Sequence, residues 1–291
     1  MKTYDAVVAG GSGAVGTLLA HLLADDGSTV LTVDRVVPHD RDTSVDHVVG
    51  DITDPDEQLA SHLSTAGVVV LAVPESVALQ SISQWRAPTG LLVETLSVKS
   101  GFASSVGDIA GPVIGINPMF APALGMQGRP VAAVTHRPGT AATEFLDRVR
   151  RWGGRVIELD ADTHDRLAAA TQALTHAAVL AFGSALDQLG VDASLVDAVA
   201  PPPARTLLAL LARVSGGQPE VYWDVQAGNP HAAAARAALA RGLRDLDATV
   251  ASGTESGFAE LMRGAGASVP NGDVYSALCT ELFGTVRGSA T

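Results

Sequence analysis

Lysine is almost missing from this chain: of nineteen basic residues only Lys2 and Lys99 are lysines, against thirty-one acidic residues and a formal net charge of −12. Without a dense Lys/Arg cluster no face is suited to a phosphate backbone, which argues against a nucleic-acid partner. The shortage accompanies abundant alanine and reads as GC-rich codon usage, but it leaves Lys99 conspicuous. Cysteine is scarcer still: Cys279 stands alone, cannot form an internal disulfide, and in the apolar context YSALCTELF reads as a buried structural thiol. Long hydrophobic runs are also lacking, since VVVLAVP and LLALLARV are too short to cross a bilayer. The N-terminal MKTYDAVVAG enters a strand without a cleavable signal pattern. The expectation is a cytoplasmic chain without a membrane partner, acting on small molecules or pairing with itself. Aromatics make up 4% of the residues and hydrophobics 47% of 291, which suits an ordinary core of Ala, Val and Leu with length enough for two domains.

Against these absences stand short runs rich in β-branched residues, at 4–9, 29–33, 45–49, 67–73, 90–95, 112–116, 130–134 and 155–159. Several are separated by stretches of helical length. Near-continuous apolar strands alternating with helices predict a mostly parallel sheet covered on both faces. From about Ala161 the pattern becomes long helices without convincing strands, as in DADTHDRLAAATQALTHAAVLAFGSALDQLG and NPHAAAARAALARGLRDLDATVASG. Prolines 201–203 can open a helix and Gly216-Gly217 can end one. The chain thus divides into an α/β domain, 1–160, and an all-α domain, 161–291, with the terminal RGSAT expected to fray.

The segment VVAGGSGAVGTLLAHLLADDGSTVLTVDR places Gly11, Gly13 and Gly16 in GxGxxG spacing between a strand and a helix. That context gives the motif a mechanism. Gly11 permits the tight turn, Gly13 lets a pyrophosphate approach the backbone, and Gly16 allows close helix–strand packing, with Ser12, Ala14 and Val15 between them at the helix N-terminus. Asp34 ends the second strand, where an acid hydrogen-bonds the adenosine ribose and repels a 2′-phosphate. A Rossmann-type domain binding NAD is the reading, against a glycine turn that merely packs. Arg35 leaves room for NADP. Val73 and Pro74, in LAVPES, would lie beside the nicotinamide half, although the proline also serves as a simple strand stop.

ETLSVKSG (94–101), GINPMFAP (115–122), THDRLAAATQALTHAA (163–178) and LLARVSGGQPEVYWDVQAGNP (210–230) occur in an order and spacing that resembles the prephenate and arogenate dehydrogenase family. The likeness spans roughly residues 5–265. It implies NAD(P)-dependent oxidative decarboxylation of a cyclohexadienyl acid, with a Rossmann domain followed by a helical domain that makes a homodimer, and no metal. By this resemblance Arg213 falls on the arginine that takes the substrate carboxylate, although an arginine in the last helical turn also suits the helix dipole. Arg205 would be a second contact or an interhelical pair. His176, with Gln172 four residues before it, would line the substrate site or belong to the core. Tyr222 and Gln226 have the same two readings. Ser97 and Lys99 would touch nicotinamide and substrate, against a turn-capping serine and a solvated lysine.

The departure from the family pattern is Asn117, where the GxHPMFGP motif has its histidine, with Ala121 in place of the second glycine. The sequence reads as a short strand delivering Asn117 onto a Pro-Met-Phe turn. An amide donates and accepts hydrogen bonds but takes no proton near neutral pH. A substrate bearing an amine on ring carbon 4 needs less help than one bearing a hydroxyl, because nitrogen's lone pair expels hydride more readily. The expected branch is therefore 4-amino-4-deoxyprephenate oxidation to 4-aminophenylpyruvate in specialised, antibiotic-type metabolism. The alternatives are a prephenate or arogenate dehydrogenase of tyrosine biosynthesis in which His176 or a water held by Ser97 polarises the hydroxyl, and a non-catalytic NAD-binding sensor or partner subunit.

Overall fold

The computed structural model describes residues 2–37, 44–85 and 90–285; the terminal RGSAT lies outside them. All eight apolar runs are strands: β1 (Ala6–Ala9), β2 (Val30–Asp34), β3 (Asp46–Val49), β4 (Val68–Leu71), β5 (Leu91–Glu94), β6 (Val113–Pro118), β7 (Pro130–Arg137) and β8 (Arg155–Glu158). They form one sheet in the order β3-β2-β1-β4-β5-β6-β7-β8. Pairing is parallel from β3 through to β6, then antiparallel between β6 and β7, and parallel again between β7 and β8. Side chains alternate across it as strand geometry demands. Val7, Ala9, Leu31 and Val33 enter the core on one face. Ala6, Val8 and Val30 join the other, under helices α1 (Ala14–Asp25) and α5 (Thr140–Arg151) through Leu19, Leu23, Phe145 and Val149.

Strand β6 runs further than its apolar run, so Asn117 lies inside the strand, paired with Ala132 of β7, and not on a turn beyond it. The extension comes from the antiparallel partner: pairing with β5 stops at Gly115, whereas β7 carries the ladder on to Pro118.

The chain forms two compact units, 1–168 with 223–230 and 169–222 with 231–291. The first unit therefore keeps helix α6 (Ala161–Ala168), which the sequence pattern assigns to the helical half. Asp160 caps it, its Oδ1 accepting from the Thr163 amide at 2.8 Å. His164 and Asp165 on its first turns are buried, at 1% and 0% exposure, which ties α6 to the sheet domain.

A π-helical segment, Ala169–Ala173, joins α6 to α7 (Leu174–Gln188). Joined, these pieces make a continuous helix that by length and apolar composition could cross a bilayer, which the shorter runs could not. The second unit continues with α8 (Ala193–Val199), α9 (Pro202–Ser215), α10 (Pro219–Trp223), α11 (Ala232–Ser252), α12 (Glu255–Gly266) and α13 (Gly272–Thr285). Pro202 opens α9 and Gly216 caps it, as the sequence signals predict. This unit leaves Leu243, Val250, Phe258, Met262, Leu278 and Leu282 exposed. Cys279 is half-buried on α13 and not buried as its apolar context suggested, because the apolar face around it is itself uncovered.

Candidate active site

At the carboxyl ends of β1 and β2 the glycine-rich turn takes a form slightly different from the sequence reading. Gly10, and not Gly11, adopts the left-handed backbone (φ +78°), and a Cβ there would meet the Ala72 carbonyl oxygen at 2.0 Å. Gly16 closes the helix onto the strand, since its Cβ would stand 2.1 Å from the Gly10 oxygen. At Gly13, which caps α1, a Cβ would stand 3.3 Å from the Gly10 oxygen, a tight contact that a shift of a few tenths of an ångström relieves. Such a turn, with no side chain among the described residues capping the helix-terminal amides, fits a dinucleotide pyrophosphate. Asp34 Oδ2 accepts from the Ser12 amide at 3.0 Å, which sets the carboxylate against the turn. Arg35 pairs with Asp51 at 2.6 Å, and both border the same cleft as Asp34. Gly10, Asp34, Val73 and Val77 line one cleft, while Pro74 caps the short helix α3 (Glu75–Gln80).

A buried polar network lies further along the sheet. Glu94, the last residue of β5, is wholly buried and receives the Lys99 ammonium at 2.7 Å, His136 Nε2 at 2.9 Å and the Leu96 amide at 2.7 Å. Gly115 makes the room, since a Cβ there would sit 1.9 Å from Glu94 Oε1. Burial alone would raise the Glu94 carboxyl, but Lys99 and His136 hold it below the usual carboxylate range. Burial pushes the Lys99 amine down, opposed by Glu94. The Lys99 ammonium also donates to the Ile116 carbonyl at 3.1 Å, one residue before Asn117. Both alternatives weighed for Lys99, a substrate-touching group and a solvated one, are corrected: its 0% exposure leaves no face for a ligand, and it acts as a buried clamp between β5 and β6.

Asn117 itself is 4% exposed. Its Nδ2 lies 3.2 Å from His164 Nε2, and His164 Nδ1 lies 2.8 Å from Asp165 Oδ1. Asp165 is held in turn by the Lys99 amide at 2.8 Å and the Ser100 amide at 2.9 Å. Burial works against its charge, yet these bonds, led by His164 and Ser100, lower its pKa to about 2. Asn229 donates to the Asp165 carbonyl at 2.8 Å. Half-buried Glu75 has its pKa raised, chiefly by burial and then by Asp224. Ser97, half-buried, makes no side-chain hydrogen bond among the described residues. No group of three or more His, Cys, Asp or Glu among the described residues could hold a metal ion.

In the helical unit, Gln172 Oε1 and His176 Nδ1 are buried with no hydrogen-bond partner among the described residues. The His176 ring meets Tyr222 edge-on, with centroids 4.8 Å apart, and burial pushes its imidazole down toward the neutral form. Unpartnered buried polar atoms carry a free-energy cost, which a ligand can remove. Arg213 is exposed near the end of α9 and forms no ion pair among the described residues. Arg205 is already engaged: its Nε donates to the Ala200 carbonyl at 3.1 Å, Nη2 to the Asp197 carbonyl at 2.8 Å, and Nη1 pairs with Asp197 at 3.4 Å. Of its two readings the structural one is realised, as a tie between α8 and α9. Gln226 falls on the return segment 223–230, in the other unit from Tyr222.

Reading single residues missed His164, Asp165, Glu94, His136 and Glu75. His164 and Asp165 stood within the quoted THDRLAAATQ, but a histidine at a helix start reads equally well as a surface residue.

Residues 160–264 match the family described as prephenate dehydrogenase, dimerization domain, and residues 6–86 match the NAD dependent epimerase/dehydratase family. The 4-amino-4-deoxyprephenate dehydrogenase of Streptomyces pristinaespiralis is 45% identical over 283 residues, covering 95% of this chain and 95% of that protein. Prephenate dehydrogenase from A. aeolicus, solved with hydroxyphenyl propionate and NAD+, has a TM-score of 0.72 at 14% identity, covering 91% of this chain and 96% of that one. Synechocystis arogenate dehydrogenase has a TM-score of 0.64 at 21% identity, covering 94% and 99%. These two share the fold, a parallel-sheet domain followed by a helical one. Identity of 45% along nearly the whole of both chains goes further: this chain belongs to the prephenate dehydrogenase family.

Proposed function

We propose that the chain oxidises and decarboxylates 4-amino-4-deoxyprephenate to 4-aminophenylpyruvate with NAD. The observation that carries the reading is Asn117, a buried amide in place of a titrating group. The balance of the reaction explains why an amide suffices. The C4–H bond breaks with its electron pair leaving as hydride, and the nitrogen lone pair forms a C=N bond in its place. The bond to the ring carboxylate then breaks, carbon dioxide departs, and its electron pair passes through the ring to return the lone pair to nitrogen. Once the amine is present as the free base, no further proton need leave nitrogen. With a hydroxyl at carbon 4 the corresponding cation is strongly acidic, and a base that removes its proton typically contributes about 10² to 10⁴ in rate. Asn117 cannot be that base.

Bound NAD supplies the hydride acceptor. For the chain's own part, the turn at Gly10 to Gly16 would hold the pyrophosphate and Asp34 the ribose, and the Asp34 carboxylate, with the Arg35 charge paired to Asp51, supports NAD over NADP. Arg213, without an ion pair among the described residues, is suited to a substrate carboxylate. His176 and Gln172 carry the unpartnered polar atoms of a ligand contact, with Tyr222 beside His176. Ser97 and Gln226 keep their assignment to the site by family resemblance. The exposed apolar side chains of α11 to α13 support a homodimer through the helical unit. A cytoplasmic setting and a role in specialised metabolism complete the proposal.

The test offers 4-amino-4-deoxyprephenate, prephenate and arogenate separately to protein with NAD and follows nicotinamide reduction at 340 nm. A clear preference for the amine is expected. Preference for prephenate sinks the reading, and NAD binding without turnover of any substrate favours a sensor.

A further inference from the structure

Three groups stand in line at the end of β6: Asn117 Nδ2 is 3.2 Å from His164 Nε2, and His164 Nδ1 is 2.8 Å from Asp165 Oδ1. We propose that His164 is a positioning residue that fixes which end of the Asn117 amide is offered to the substrate, and that the Asp165 carboxylate sets His164 for that task.

The order of donors follows from Asp165. Both its oxygens accept backbone amides, from Lys99 and Ser100, and its pKa of about 2 keeps it a carboxylate, which can only accept. His164 must therefore carry its proton on Nδ1 and donate it. In a neutral ring Nε2 is then a bare lone pair. Its neighbour in Asn117 has to be the NH₂ end, because two acceptors would repel. The amide is thereby turned with Oδ1 away from His164, and Oδ1 accepts no hydrogen bond among the described residues. His164 at 1% and Asp165 at 0% exposure leave little room for another arrangement.

The orientation has a chemical consequence, which rests on the amine reading above. Amide oxygen accepts an N–H from the substrate amine and leaves the nitrogen lone pair free to expel hydride. The reverse orientation would point an N–H at that lone pair and hold it back. An acceptor thus assists where a donor would inhibit.

Two measurements test the proposal. In ¹⁵N-histidine spectra of the wild-type protein, assigned through the backbone, His164 is expected as the neutral Nδ1–H tautomer. An Nε2–H tautomer or a doubly protonated ring at neutral pH overturns the proposal, whatever the substrate proves to be. In turnover of the amine, His164→Leu should lower kcat by about tenfold or more, the effect of one hydrogen bond. KM and NAD affinity should change by less than about threefold. His164→Gln, whose Oε1 can accept from the same NH₂, should recover most of the loss. Equal impairment in both variants means His164 only packs, which overturns the positioning role. Should no substrate turn over, the function proposed above fails while the tautomer still decides the geometry.

Discussion

Lys99→Met separates a structural lysine from a chemical one. Methionine keeps most of the volume but removes the ammonium, leaving the Glu94 carboxylate, at 0% exposure, with His136 at 2.9 Å and the Leu96 amide at 2.7 Å. Deleting one partner of a buried pair costs about 3–5 kcal/mol because the other charge is stranded. The hydrogen bonds from His136 and the Leu96 amide remain and offset part of this, which places the expectation near ~3 kcal/mol. At roughly 2–4 °C per kcal/mol for a unit of this size, Tm should fall by about 6–12 °C. The double variant with Glu94→Gln removes both charges, and should exceed the sum of the single variants in stability by about 2 kcal/mol. Thermal unfolding followed by circular dichroism reads each value, with kcat measured well below the lowered Tm. A fall in kcat of about a hundredfold with Tm held within about 2 °C would refute the clamp and return Lys99 to the chemistry.

Asn117→His should raise turnover of prephenate relative to the amine, within the ~10² to 10⁴ that a general base contributes, and an unchanged ratio in parallel assays would show that this position does not choose the substrate. Arg213→Ala should raise KM by well over about tenfold with NAD affinity intact by calorimetry, as expected for lost hydrogen bonds to a charged group; an unaltered KM would remove Arg213 from the site. Gly16→Ala, whose Cβ would lie 2.1 Å from the Gly10 oxygen, should lose stability outright, whereas Gly13→Ala, with 3.3 Å available, should fold and lose NAD affinity by about tenfold; equal melting temperatures for the two would contradict the packing. Asp165, at a pKa of about 2 against an ordinary 3.8, contributes stability that is complete above the unfolded value and lost as pH falls from about 5 toward 2, about 2 kcal/mol in all. Tm should therefore drop more steeply between pH 5 and pH 3 in wild type than in Asp165→Asn, and parallel slopes would refute this.

The strands were legible because β-branched runs bury on both faces of a parallel sheet, and the pattern survives whatever neighbours each strand acquires. The breaks at Pro202 and Gly216 were legible for a similar reason, since backbone chemistry there is local. The glycine motif was read one residue late: spacing identifies the turn, but only the approach of the Ala72 carbonyl shows that Gly10 bears the left-handed conformation. Lys99 was misread in kind. Its partners Glu94 and Ile116 lie on two adjacent strands, and nothing in the segment SVKS says that they close over it.

The sequence by itself determined the class of fold, the glycine-rich turn with Asp34 beyond it, and the family, because each depends on short-range pattern or on motifs retained in order. It also singled out Asn117, since a residue that cannot titrate is visible as a letter. What the tertiary structure alone decided is what stands behind that amide. His164 and Asp165 are 47 and 48 positions from Asn117 in the chain, and only the docking of α6 against the sheet brings imidazole, carboxylate and amide into one line. Hydrogen-bond direction in such a line is set by the one member that can only accept, and which member that is depends on burial and partners assembled from three separate segments.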